Sequence, residues 1–313
     1  MESTNGTDSL VKALSQVSLT AANMGNTLAF EPVMEDWFGF LGGRPGEVVI
    51  VDGGSSPETH AVYWKLFNER KIDKLQVIRS EHSDNHRDTC YIQEYIVGAI
   101  ASKPYILFFK SDTLPFRQGH DNWLPEAIEH LERPDTFAVG GSFNSPSHHH
   151  DAWPGWYFSH KCSLNFALMK RSSFMEAMEE FAGEFIRSGY RIEKNPIGPE
   201  ANKRYVVETS FERYMARHNK FTLVKVEDPT WTVFHTNVAG KKLVEVREKY
   251  LKRVDVERYM NARLPNRIWG GCYYGKPRAR WANFKWTLSE SPLGQAVRAA
   301  KRLIGIKPNA RQT

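Results

Sequence analysis

The chain has 313 residues, of which 41% are hydrophobic and 25% charged, with a net charge of +6. These are ordinary values for a globular protein with enough length to bury a large core. The three cysteines, Cys90, Cys162 and Cys272, are odd in number and far apart with no Cys-x-x-Cys spacing. That argues against a disulfide framework or a structural zinc site and fits a reducing compartment.

No run approaches the roughly 18 apolar residues of a membrane span, and Met1 to Ser9 is polar rather than a basic-then-apolar leader. The expected location is cytoplasmic. Charge is unevenly spread. From Arg263 to Thr313, 11 Lys and Arg face a single acid, Glu290, leaving 31 bases and 35 acids elsewhere. A mildly acidic body therefore carries a strongly basic tail.

In chain order, residues 1–14 read as a flexible start and Val17 to Thr20 as a short strand. Leu28 to Leu41 has helical apolar spacing and stops at Gly42-Gly43. Glu47 to Val51 is a nearly continuous apolar run, as expected of a strand buried on both faces, and it ends in the turn Asp52-Gly53-Gly54-Ser55-Ser56. A helix is expected from about Pro57 to Arg70, a strand from Leu75 to Arg79 and a helix from Asp88 to Ser102. Tyr105 to Phe109 is a second buried strand, ending in Lys110-Ser111-Asp112, and Phe137 to Gly141 is one more. Strands alternating with helices imply βαβ units and a mostly parallel central sheet flanked by helices.

Residues 15–143 thus read as a first patterned half, which the resemblance described below makes nucleotide-binding. Residues 144–240 form a second half, its acceptor side by the same resemblance, with an aromatic loop, helices near Ser172–Ser188 and Glu208–Asn219, and a strand near Phe221–Val226. Residues 241–313 are a C-terminal extension, helical at Lys241–Leu264 and then basic and aromatic.

Open parallel sheets bind ligands outside the carboxyl ends of their strands. Two strands here deliver polar residues to that edge, Asp52 from one and Lys110, Ser111 and Asp112 from the other. An Asp followed by Gly-Gly-Ser-Ser offers a ribose or base acceptor beside exposed amides that suit anions. Gly53 and Ser55 belong to that turn, and Arg87, after Asn85-His86, is a candidate diphosphate contact. Trp153, Trp156 and Tyr157 have ring faces suited to stacking on sugar. His148-His149-His150 reads as solvated, because adjacent histidines rarely ligate one ion together.

In order and spacing, several stretches resemble glycosyltransferase family 2, of the GT-A fold: Val48–Ser56, Val77–Glu81 with the Asn85–Ala101 helix, Tyr105–Asp112, Cys162–Phe174, Val207–Phe211 and Phe234-His235. The resemblance covers about Val17 to His235. It implies an inverting transfer of sugar from a nucleoside diphosphate sugar to a glycan or lipid-linked acceptor, as in cell-envelope polysaccharide synthesis. It implies a divalent cation, Mn²⁺ or Mg²⁺, held by Asp112 and His235. The sequence departs from the family at two places. Lys110 stands where the first acid of Asp-x-Asp is expected, which weakens the metal site or sets a cation on the diphosphate. Thr209 stands where the family's base is expected, so Glu208, with Glu212 one turn later, becomes the candidate general base.

In the tail, Trp269, Tyr273, Tyr274, Trp281, Phe284 and Trp286 interleave with basic residues. Val297, Leu303 and Ile304 with Arg298, Lys301 and Arg302 form a short basic amphipathic stretch. Such stretches suit an anionic membrane surface, which would place the protein peripherally at the inner face of the membrane. The alternatives are a catalytically degenerate nucleotide- or glycan-binding relative and, less favoured, a nucleic-acid-binding protein acting through the tail.

Overall fold

The computed structural model describes residues 3–78, 92–140, 148–149, 153, 155–188, 206–225, 228–261, 273–275, 288, 291–293 and 296. A helix, α1 (Ser3–Ser15), occupies the start where the sequence suggests a flexible arm. Its apolar residues Leu10, Ala13 and Leu14 join the core, which explains why a mostly polar segment folds. β1 (Val17–Asn23), α2 (Thr27–Leu41), β2 (Glu47–Asp52), α3 (Pro57–Asn68), β3 (Lys74–Val77), α4 (Ile92–Ile100) and β4 (Tyr105–Phe109) follow as successive βα units. Then come β5 (Thr113–Arg117), α5 (Trp123–Leu131), β6 (Thr136–Val139), β7 (His148–His149), β8 (Trp156–Ser159), β9 (Phe166–Lys170), α6 (Arg171–Arg187), α7 (Val206–His218), β10 (Phe221–Lys225), β11 (Trp231–His235), α8 (Gly240–Leu251) and α9 (Val256–Asn261).

Among the described residues the main sheet has the order β3-β2-β1-β4-β9-β6-β10-β8-β7, and β11 pairs with β5 in a second, two-stranded sheet. β3, β2, β1 and β4 are parallel, as is the β6–β10 pair. β9 runs antiparallel to both β4 and β6, and β8 antiparallel to β10 and β7. The architecture is therefore the expected α/β, but its sheet is mixed rather than mostly parallel beyond β4.

The core follows the two-residue alternation of a strand. Val48 and Ile50 of β2, Leu107 and Phe109 of β4, and Phe166 and Leu168 of β9 face α2 and the aromatic cluster of Trp37, Phe40, Trp123 and Trp231. Val49, Val51, Ile106, Phe108, Ala167 and Met169 face the other way, onto α4, α6 and α7. Both faces of β2 and β4 are covered, so every residue in them is buried. Gly42, at φ 87°, ends α2 in the left-handed conformation, which costs glycine little. Among the described residues no helix is long and apolar enough to cross a membrane.

At the amino edge of the sheet one carboxylate ties four segments together. Glu47 accepts from Ser18 Oγ, from Ser102 N at 2.7 Å and Ser102 Oγ at 2.8 Å, and pairs with Lys74 at 2.7 Å. Burial pushes this carboxyl up, but Lys74, Ser18 and Ser102 together hold it down at about 2. A depressed folded-state pKa stabilises above the unfolded value of 4.5, and that stability is lost as pH falls toward 2. Glu47→Gln should remove up to about 3 kcal/mol at pH 6 and much less at pH 2.5. Urea unfolding of both proteins at the two pH values checks this, and an equal gap at both would contradict it.

Candidate functional site

β1 lies between β2 and β4 in parallel register, with Asn23 opposite Asp52 and Ala21 opposite Phe109. Asp52 and the Lys110-Ser111-Asp112 segment therefore leave the sheet at the same edge, on either side of the end of β1. The β1–α2 loop joins them. Gly25 N donates to Ser55 Oγ at 2.7 Å, and Asn26 Nδ2 donates to Ser111 Oγ at 2.8 Å. Asn26 Oδ1 accepts from Gly240 N at 3.2 Å, which brings the start of α8 to the same place.

Asp52 is fully buried and its oxygens are already engaged. Oδ2 accepts from Gly54 N and Ser55 N, both at 2.9 Å, and lies 2.9 Å from His60 Nε2. Oδ1 accepts from Ser55 Oγ and, at 3.3 Å, from Tyr63 Oη. Burial raises this carboxyl, but the bonds from Ser55, His60 and Gly54 outweigh it and hold Asp52 below the usual range. Asp52 thus builds the turn from inside. Gly53 N donates to Asn23 O at 3.0 Å, and its missing side chain leaves room for the amide of Gln93 from α4.

Asp112 and His235, 123 residues apart in sequence, meet at 2.9 Å between Oδ2 and Nε2. The β5–β11 pairing causes this, because His235 lies opposite Thr113. Thr236 N and Oγ1 each donate to the Asp112 carbonyl at 2.9 Å. Asn165 Nδ2 lies 3.4 Å from His235 Nδ1, an arrangement in which Nδ1 accepts and Nε2–H donates to the carboxylate. The ring of Tyr273 packs edge-on to His235 at 5.1 Å, and Tyr274, buried among Phe234, Tyr250 and Tyr259, donates its N–H to the His235 carbonyl at 3.2 Å. This part of the aromatic tail folds onto the body.

One carboxylate and one imidazole fit a hard or borderline divalent cation that draws its other ligands from substrate phosphates and water. No group of three or more His, Cys, Asp or Glu that could hold a metal ion occurs among the described residues.

β9 draws the base candidates to the same edge. Phe166 pairs with Phe109, so Leu164 and Asn165 lie near Lys110. Leu164 N donates to Glu208 Oε1 at 3.2 Å while Asn165 reaches His235. Glu212, one turn along α7, is raised by burial, which outweighs the nearby Lys161. Lys110 Nζ lies 3.2 Å from Oε1 of Glu94, a buried acid that sequence reading missed. The only local signal was a charge set among apolar residues in Ile92–Ile100.

The aromatic loop has a different place. Trp156 and Tyr157 are buried in β8, Trp156 beside Trp231 and His130 and Tyr157 with Val224. Trp153 is half-buried, with the Arg133 guanidinium 3.9 Å over its ring. These rings pack the fold and do not form an open platform. His148 and His149 pair with Phe158 and Tyr157. Arg87, Arg79, Lys203, Arg204, His150 and most of the basic tail lie outside the described residues.

No protein-family model matches the chain, and no curated protein matches it in sequence. Among solved structures it is similar to a mannosyltransferase from Pyrobaculum calidifontis in complex with GDP-Man and Mn²⁺. The identity is 12% and the TM-score 0.41, over 93% of this chain and 81% of that one. It is also similar to GalNAc-T7 with UDP, GalNAc and Mn²⁺, at 11% identity and TM-score 0.44. That match takes in 91% of this chain but only 58% of the larger protein.

Proposed function

We propose that the chain is a glycosyltransferase that moves a sugar from a nucleoside diphosphate sugar to a glycan or lipid-linked acceptor with inversion. The Asp112–His235 pair at the carboxyl edge of the parallel strands carries this reading. It sets a carboxylate and an imidazole where the diphosphate of a nucleotide bound over the Gly53–Ser55 turn would lie. A leaving diphosphate needs positive charge as its bond to the sugar breaks. A divalent cation held by Asp112 and His235 would supply Lewis acidity there. Lys110 adds a fixed cation on the same strand end.

The remaining work falls to a carboxylate on α7. As the acceptor oxygen bonds to the anomeric carbon, the bond from that carbon to the phosphate oxygen breaks, and the acceptor proton passes to the carboxylate. Glu208 is the first candidate, and its bond from Leu164 N–H, beside the strand end that bears Asn165, supports this reading. Glu212, with its raised proton affinity, is the second candidate. The nucleoside would lie over the Gly53–Ser55 turn, whose amides and hydroxyl are bonded inward to Asp52 and Asn23, so the turn offers its shape rather than free donors. The basic tail between Arg263 and Thr313 is the proposed contact for an anionic membrane surface.

A panel of nucleoside diphosphate sugars in thermal-shift assays should show at least one donor that stabilises the protein in Mn²⁺ and less so in EDTA. Asp112→Asn and His235→Ala should each remove the Mn²⁺-dependent part. A flat panel in Mn²⁺ would overturn the proposal.

With that donor, Glu208→Gln should cut turnover by about 100-fold or more while leaving donor affinity within a few-fold. Turnover within a few-fold of wild type would instead assign the base to Glu212, and Glu212→Gln should then show the loss. Donor binding without transfer or hydrolysis in the wild type would identify a degenerate relative.

A further inference from the structure

α4 lays two side chains against the strand ends. Gln93 fills the space beside Gly53, and Glu94 meets Lys110. The two partners of this ion pair are unequally placed. The Glu94 side chain is 5% exposed and that of Lys110 24%. Among the described residues Glu94 Oε2 is buried with no hydrogen-bond partner, while Oε1 meets Lys110. A carboxylate sealed from water and half-satisfied is costly to keep. Glu208 adds a second negative charge within electrostatic reach of Glu94. A neutral residue at position 94 would carry no such desolvation penalty, so stability does not account for this acid. Its placement makes sense as a fixed anchor that restrains a long, flexible lysine at one position.

We infer that Glu94 is a positioning residue of the donor site, whose buried carboxylate holds the Lys110 ammonium at the end of β4 for the donor diphosphate. This rests on the proposed function. Lys110 then acts at short range, as a pre-placed hydrogen-bond donor to a phosphate two residues from Asp112. Glu94 does not touch the ligand. It lowers the cost of ordering the lysine when the ligand binds.

Isothermal titration of the full chain in Mn²⁺ with UDP, GDP and the nucleoside diphosphates of the other bases, and with the matching monophosphates as single-phosphate controls, tests this. Whichever diphosphate binds the wild type should bind Glu94→Gln about tenfold more weakly, as for loss of one charge-assisted bond. The matching monophosphate should change less than about twofold if the lysine meets the outer phosphate. Lys110→Met should show the same selective loss, and Glu94→Gln/Lys110→Met should bind no more weakly than Lys110→Met alone, because Glu94 acts only through the lysine. If Lys110→Met strands the Glu94 charge and does not fold, Lys110→Gln, which can still donate to the carboxylate, takes its place in the cycle. Equal loss for diphosphate and monophosphate, or losses that add in the double variant, would overturn the inference and leave the proposed function standing. A wild type that binds no nucleoside diphosphate, whatever its base, would overturn both.

Discussion

The structure depends on one constraint, the register that sets β1 between β2 and β4. Parallel pairing puts the ends of β2 and β4 on either side of Asn23, and the short loop from Asn23 to Asn26 fills the gap. Gly25 bonds toward the Ser55 turn and Asn26 toward Ser111, so the loop holds the two strand ends at a fixed spacing. Both arms of the Asn26 amide are used, one on Ser111 and one on Gly240. Asn26 sits at φ 59°, a conformation Asn tolerates better than most residues. A single amide thus links the end of β4, the start of α2 and the start of α8. That linkage positions the start of α8, five residues after His235, which ends β11.

The two strand-end aspartates look alike in sequence and serve different purposes. Asp52 takes five polar contacts from within its own turn and from α3, and is sealed from solvent. A carboxylate so saturated shapes backbone and has little capacity left for a ligand. Asp112 keeps one oxygen on His235 and remains partly open. The path of the chain beyond each aspartate makes the difference. Gly54 and Ser55 turn their amides back onto Asp52, whereas Thr113 enters β5 and carries the chain away from Asp112.

β2 and β4 were legible because burial on both faces leaves an unbroken apolar run, and the boundaries of α3, α6 and α7 were legible within a few residues from apolar spacing. Strand direction was not. Phe166–Lys170 falls in the Cys162–Phe174 stretch of the resemblance, but nothing local says that it inserts antiparallel between β4 and β6. The β5–β11 ladder was missed because its partners, Thr113–Arg117 and Trp231–His235, are distant in sequence and neither is long enough to stand out. Yet that ladder completes the Asp112–His235 pair, which the resemblance anticipated and local pattern did not. Trp156 and Tyr157 misled for a related reason. Ring faces suited to stacking on sugar can equally pack inward, and here the segment begins β8 with its rings against Trp231 and Val224. Glu94 was invisible because helical spacing shows which face is buried, and only tertiary structure shows that Lys110 waits there.

The charge at this edge explains why the cations matter. Asp52, Glu94, Asp112, Glu208 and Glu212 all lie at or near the carboxyl ends of the central strands. An anionic diphosphate can approach such a set only if the carboxylates are neutralised one by one. Asp52 is answered by backbone amides and His60, and Glu94 by Lys110. Glu212 has Lys161 in electrostatic reach. Asp112 has, among the described residues, the imidazole of His235 at 2.9 Å. The uncompensated charge falls on Glu208, which meets the Leu164 N–H, and on Asp112, the carboxylate to which the proposed function assigns a divalent cation. The arrangement makes the proposed donor and its metal depend on one another, since each supplies what the other needs at the same carboxylate.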